Sequence, residues 1–473
     1  MASRRERERI RRRRRRLLRA GAFLLVGAII ALIAVSLFYG KRKRTLERQE
    51  KAQEIAAEEA ELAAKRALIA EADDLAAGYD YDAAIAHLTA HDEYSTDSEV
   101  IDAIASYTAA KTNLTTVSTD KVTQIYFQSL IVDTDRAFNG SLSDSDKAFV
   151  NAWMPTMDEF DSIIEQLYDN DYVLVRMRDL VTGTEDEDGN VSFTSNSLLL
   201  PAGKKPYVLS FDDWNYYHEY EDAGLASRAV LDADGNMTCE YTDASGNVTT
   251  GDYDVVPRLN AFFEEHPDGA YKGARGLIGL TGYEGILGWR TDPSYASGED
   301  LSDAQKSWLA LHPDFDLDDE IENARAVAEA AKDEGWEFAY HTWGNLKIYS
   351  NDLDTAKSDY AKWMEYVSTI VGETDTMIFV PGSDIGDWHM YDADSNEVYA
   401  YYKSMGIHYY VTTDSTVKYW VQVGDDHFRM ARIACNGYQM WQVVGGEKDW
   451  NVFEDLFDVE SVFDSARPTP VTG

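Results

Sequence analysis

From Lys121 onward the chain alternates short apolar runs with stretches of helical periodicity, and this alternation limits the possible folds more than any other feature. The runs VTQIYFQSLIV (122–132), YVLV (172–175), YVLSF (207–211), ARGLIGL (274–280), WEFAY (336–340), DTMIFV (375–380) and IHYYV (407–411) have the length and the β-branched and aromatic content of strands. Between them, Met157 to Tyr168 puts Phe160, Ile163, Ile164 and Leu167 on one helical face, and 320–334, 354–370 and 395–405 also read as helices. Strand followed by helix, repeated, predicts an α/β fold with a parallel sheet or barrel. The segments DEDGN (186–190), DADGN (232–236) and SGN (245–247) are turn signals and predict β-hairpin excursions.

The N-terminus has a different character. Eleven arginines fall between Arg4 and Arg19, and Ala20 to Gly40 then carries no charge. At about 1.5 Å per residue, that stretch is long enough to cross a hydrocarbon core of about 30 Å. Lys41, Arg42, Lys43 and Arg44 follow it, a smaller basic cluster than the one before. The asymmetry predicts a single-pass membrane protein with its N-terminus cytoplasmic and its C-terminal domain extracellular. Residues 41–75, rich in Ala, Glu, Lys and Arg and free of Gly and Pro, predict a polar helical stalk. Residues 76–118, including YDYDAAIAHL, predict a helical hairpin. The expected organisation is a basic tail (1–19), a transmembrane helix (20–40), a stalk and hairpin (41–118) and one large domain (119–473).

Charge excludes one class of partner. The first 44 residues hold 15 of the 44 Lys and Arg but only 2 of the 84 Asp and Glu, so the remainder is more acidic than the net charge of −40 suggests. Phosphate backbones need basic patches, so no nucleic-acid partner is expected. Cys239 and Cys435 allow one intrachain disulfide at most, and the sequence leaves their pairing open. The chain has no G-x-G-x-x-G, no P-loop and no G-x-S-x-G, and the glycine in DADGN is misplaced for a calcium-binding EF-hand loop.

In parallel α/β folds, chemistry gathers where strands end. YVLSF ends in Asp212, Asp213 and Trp214. Two adjacent carboxylates there suit a division between metal ligand and proton acceptor. WEFAY ends in His341, with Asn345 four residues on, which falls on the same side if that turn is helical. DTMIFV ends in Pro381, Gly382, Ser383 and Asp384.

These strand ends carry a resemblance. PYVLSFDDWNYY is similar to the first motif of the NodB-homology polysaccharide deacetylases (carbohydrate esterase family 4), a strand ending in F-D-D. GWEFAYHTWGN resembles their second, H-[ST]-x-x-H, and FVPGSDIGDW a divergent third. The segments MDEFDSIIEQLYDNDYVLVRMRDLV, GLTGYEGILGWRTD and DHFRMARIACNGYQMW resemble elements of a membrane-anchored bacterial subgroup, so the likeness spans roughly 120–445. It implies a distorted (β/α) barrel. It also implies Asp212 as general base, and Asp213, His341 and Asn345 around a divalent metal, zinc by the family's habit. Trp214, Trp343, Pro381, Gly382 and Asp384 would be substrate contacts. The implied activity is metal-dependent hydrolysis of N-acetyl or O-acetyl groups on an extracellular polysaccharide or peptidoglycan.

The departures define an alternative. Asn345 stands where the family has its second metal histidine, and amide oxygen is a poorer zinc ligand than imidazole. Phe379 and Val380 stand where the third motif carries arginine. No leucine–histidine motif supplies a general acid; Asp384 and Asp387 are the offered partial substitutes. The alternative is a catalytically impaired relative that binds cell-wall carbohydrate. Trp214, Tyr216, Tyr217, Tyr283, Trp289, Trp343 and Trp388 are aromatics whose faces suit either sugar stacking or apolar packing.

Overall fold

The computed structural model describes residues 4–187 and 191–473. Seven strands pair in parallel around a closed ring: Thr123–Phe127 (β1), Lys205–Asp212 (β2), Leu277–Leu280 (β3), Glu337–Tyr340 (β4), Thr376–Ile378 (β5), Tyr409–Thr413 (β6) and Phe428–Ala434 (β7). Gly279 lies opposite Asp212 where β3 meets β2, and Ile433 lies opposite Ile125 where β7 closes onto β1. The expected (β/α) barrel is therefore present.

Period-2 alternation divides each strand between two cores. Leu209 and Phe211 of β2, Ile278 of β3, Phe338 and Tyr340 of β4, Tyr410 of β6 and Ile433 of β7 pack outward in one buried cluster. Surrounding helices complete that cluster: Phe160, Ile163, Ile164 and Leu167 from Met157–Asp169, and Ala324, Val327, Ala328 and Ala331 from Leu317–Asp333. Each fully buried Phe, Ile or Leu contributes about 1.5–3 kcal/mol. Val208, Leu277, Ala339, Ile378, Val411 and Met430 form a second cluster from the opposite faces of the same strands, which is the barrel interior. Two to four residues further along that inner face come Asp212, His341 and Arg432.

The helix Met157–Asp169 starts at a capping box, with Thr156 N–H donating to Glu159 Oε2 at 2.9 Å and Glu159 N–H donating to Thr156 Oγ1 at 3.2 Å. Glu159 is fully buried, and Arg467 near the C-terminus neutralises it at 2.6 Å.

The turn signals mark real hairpins. In the antiparallel sheet of Arg228–Leu231, Met237–Thr242 and Val248–Gly251, the Asp232 carboxylate accepts from the backbone N–H of Asp234 and Asn236, and Asp243 does the same for Ser245 and Asn247. DEDGN joins Val181–Glu185 to Val191–Ser195, and its Asp188, Gly189 and Asn190 lie outside the described residues.

Two expectations need correction, and one strand was missed. The run 122–132 is a strand only as far as Phe127; beyond it, Leu130 N–H turns to donate to the Asp254 carboxylate at 3.1 Å. The turn after His341 is not helical, because Thr342 and Asn345 have φ of 59° and 51°. Strand β7 went unread as a strand because Arg429 and Arg432 interrupt its apolar run, although all seven residues are buried.

The chain divides into two compact units, residues 1–72 with 87–101, and 73–86 with 102–473; the second holds the barrel. In the first, residues 4–72 belong to the continuous helix Arg4–Ala77. Residues 20–40 of that helix are exposed on every side, and its most apolar window is 0% buried. A helix that is apolar all round and unpacked is a candidate membrane span. Nearer its end, Lys65 pairs with Asp97 at 3.0 Å and Glu99 at 2.6 Å. The two cysteines are free and buried, Cys239 beside the Tyr216 hydroxyl at 3.6 Å.

Candidate active site

Asp212 closes β2 with its side chain wholly buried. Its Oδ1 accepts from Arg432 Nη1 at 2.5 Å, and the same guanidinium nitrogen donates to Ser210 Oγ at 3.0 Å. Arg432 is itself fully buried, stacked 4.3 Å over the Tyr126 ring. The pair fixes the carboxylate and leaves its other oxygen, Oδ2, shielded and without a hydrogen-bond partner.

His341 follows β4 and faces that oxygen. Its Nδ1 lies 2.8 Å from the Ile378 carbonyl. A carbonyl only accepts, so Nδ1 donates to it and Nε2 is the ring nitrogen left facing the carboxylates. Nε2 is buried and unpartnered, 4.0 Å from Asp212 Oδ2 and 3.9 Å from Asp213 Oδ2. Leaving such atoms unpaired costs roughly 1–3 kcal/mol each, so the arrangement is built for an occupant.

Asp213 sits beside the gap in a left-handed conformation, φ 58°. Its Oδ1 accepts from the Tyr217 hydroxyl at 2.8 Å and from Asn345 Nδ2 at 3.5 Å, and its Oδ2 accepts from Gln128 Nε2 at 3.4 Å. Burial pushes its carboxyl above the ordinary range; His341, Tyr217 and Gln128 oppose that rise and Asp212 adds to it. Tyr216, Thr342 and Asn345 also have positive φ, at 55°, 59° and 51°. Among L-residues asparagine bears that conformation best, a backbone reason for Asn at 345. Strain concentrated around one gap marks a site that the surrounding packing holds in place.

The donor chemistry at the gap fits a divalent cation in part. An imidazole nitrogen and a carboxylate oxygen 3.9 Å apart face one gap, with the Asn345 amide against the same carboxylate. Among the described residues, no group of three or more His, Cys, Asp or Glu is arranged to hold a metal, so the donor set is shorter than that of a closed zinc site.

Several expected contacts lie elsewhere. Trp214 is fully buried, its Nε1 donating to Tyr216 Oη at 3.0 Å, so it has no face to offer a sugar. Trp343 is partly buried, with Lys362 Nζ 4.4 Å over its ring. Pro381 and Gly382 are on the loop leaving β5, where Tyr349 donates to the Gly382 carbonyl at 3.2 Å. Asp384 is engaged by the Tyr391 hydroxyl and by Arg429 at 3.1 Å, and Asp387 by His389 at 2.8 Å. Among the described residues, no hydrogen bond or ion pair joins these loop residues to Asp212, Asp213 or His341. Of the other aromatics, Tyr217 stacks on Tyr283 at 4.6 Å beside Asp213, while Trp388 is 69% exposed.

Three site residues were not singled out from the sequence. Arg432 follows Phe428 and Met430 on one face of β7, so the period-2 pattern was its signal. Gln128 is the first residue past β1, where the strand-end rule applies as it does to Asp212. Gly279 lies between the two buried groups, and a Cβ there would stand 3.3 Å from His341 Cγ and 3.4 Å from Asp212 Oδ1.

Two cavities adjoin the site. A small one of about 60 Å³ is lined by Gln128, Asp213, Asn345, Met154, Tyr217 and Leu225 among others. A cleft of about 740 Å³ shares Tyr216, Tyr217, Tyr220 and Leu225 with it and runs on past Trp308 and Leu311.

No protein-family model matches the chain, and no curated protein matches it. Among solved structures, Streptococcus pyogenes deacetylase PplD in complex with acetate is similar over 69% of this chain and 95% of that one, with a TM-score of 0.33 and 12% identity.

Proposed function

We propose that this chain is a membrane-anchored hydrolase that removes acetyl groups from an extracellular polysaccharide or peptidoglycan. One observation carries the reading: Asp212 Oδ2 and His341 Nε2, both buried and both without a partner, face each other 4.0 Å apart at the C-terminal rim of a parallel barrel. Asp212 is the base. Arg432 holds it aimed, so that Oδ2 is the atom to take a proton from the attacking water. The C–N bond breaks, the proton passes to the departing nitrogen, and acetate and a free amine result. Asp213, His341 and Asn345 would hold a divalent cation, with zinc as the first candidate. Such an ion, when bound, supplies a polarised carbonyl and an acidified water. Tyr217, kept protonated by burial and by the Asp213 charge, orients that carboxylate. The neighbouring cleft of about 740 Å³ has room for sugar units flanking the reacting one. The apolar helix near the N-terminus would anchor the protein with its barrel outside the cell.

Asn345 favours a second reading, a barrel that binds cell-wall carbohydrate without turning it over. Acetate release from chito-oligosaccharides and peptidoglycan fragments by the full-length protein in detergent separates the two. Release that falls at least ~100-fold in Asp212→Asn supports the hydrolase. Binding without release, under loading with zinc, cobalt, nickel or manganese, supports the carbohydrate binder.

A further inference from the structure

Gln128 is half-buried just past the end of β1, and its two amide atoms are treated differently. Nε2 donates to Asp213 Oδ2 at 3.4 Å, which anchors the group. Oε1 is shielded from solvent and has no partner. Gln128 lines the small cavity beside Asp213 and Asn345, whose other walls include Met154, Tyr217 and Leu225. At about 60 Å³ this cavity is far smaller than the neighbouring cleft of about 740 Å³, and its size suits an acetyl group better than a sugar ring. The wall thus combines apolar side chains suited to a methyl group with one lone acceptor.

We infer that Gln128 is a specificity-determining residue that accepts the N–H of the scissile acetamide, so that the site selects N-acetyl over O-acetyl groups. This rests on the hydrolytic reading above and narrows it. An acetamide and an acetate ester share the carbonyl and the methyl; they differ in that only the amide carries a hydrogen on the bridging atom. Oε1 is the unused acceptor of a residue that lines the cavity, and an ester leaves it unpaired. Sites built to hydrogen-bond a substrate N–H reject analogues that lack it by as much as ~10⁴-fold. With Nε2 tied to Asp213, the amide cannot turn round to offer a donor to an ester oxygen without giving up that bond.

The test uses full-length protein in detergent with two matched oligosaccharides, one N-acetylated and one O-acetylated at the same carbon. In Gln128→Leu, kcat/KM on the amide is expected to fall about 100-fold or more and on the ester less than about threefold. Gln128→Glu, which keeps an acceptor, should retain much of the preference for the amide. Equal losses on both substrates, or no loss on either, overturn the inference. Should Gln128→Leu fail to fold, Gln128→Met, close in length and shape, takes its place. If wild-type protein hydrolyses neither substrate, the hydrolytic reading fails separately. Calorimetric binding of the same two intact oligosaccharides then decides: an N-acetyl preference lost in Gln128→Leu supports the role of Gln128, and equal binding of both overturns it.

Discussion

Arg432 Nη1 lies 2.5 Å from Asp212 Oδ1, and both side chains are fully buried. The arginine comes from β7 and the aspartate from β2, the two strands that flank β1, so one ion pair bridges over β1 and holds the buried carboxylate. Breaking such a pair from one side strands a charge in a medium that cannot solvate it. Arg432→Met should cost ~3–5 kcal/mol in denaturant unfolding. The double variant Arg432→Met with Asp212→Asn should recover much of that loss, since no bare charge remains. A single variant as stable as wild type would contradict the pairing.

Gly279 is the spacer between Asp212 and His341. Its added methyl would meet His341 and Asp212 at 3.3 and 3.4 Å, so each would have to shift by a few tenths of an ångström against its tie to the Ile378 carbonyl or to Arg432. Gly279→Ala should lower kcat/KM for acetate release by about 10- to 100-fold through misplacement of the pair. The melting temperature should change little by comparison.

Metal binding offers a readout independent of turnover. Titration calorimetry of the full chain with zinc and with manganese should give one site, weakened at least ~10-fold by either His341→Ala or Asp213→Ala. Asn345→His should tighten zinc more than manganese, because imidazole is the softer donor.

The stability of the fold should depend on pH through Asp254. This buried carboxylate caps the helix Val255–Glu265 and accepts from Leu130 N–H, Val255 N–H and, at 2.5 Å, the Tyr216 hydroxyl. Burial pushes its pKa up to about 6, against the pull of those hydrogen bonds. The folded form therefore holds its proton more tightly than the unfolded chain does. The resulting stabilisation is fully present below pH ~4 and is lost as the pH rises to ~6, by about 3 kcal/mol in all. Asp254→Asn keeps an acceptor for the two backbone donors and should flatten that slope; an unchanged slope would assign the dependence to another group.

How far the sequence could be read depends on which residues carried a pattern. The apolar runs of β2, β3, β4 and β6 and the hairpin turns at Asp232 and Asp243 were legible, because burial and turn geometry impose regular spacing. Asp212, Asp213 and His341 were singled out by the rule that chemistry follows strand ends, and the structure brings the three side chains together. Arg432 escaped because a charged residue inside a strand looks like a break, when here its charge is cancelled by a carboxylate 220 residues away. Trp214 was misread in the opposite direction. Beside two aspartates it was expected to be a substrate contact, yet it packs 5.8 Å from Phe211 within the outer core. Trp214→Ala should therefore cost ~3–5 kcal/mol of stability in denaturant unfolding, not merely weaken sugar binding.

The wall of Tyr216, Tyr217, Tyr220 and Leu225 separates a space for a few atoms from one large enough for a small-molecule fragment. For inhibitor chemistry this means that two weak fragments, one on each side, are candidates for covalent linking. A short tether raises the effective concentration of the second fragment to the millimolar range, so modest affinities would compound.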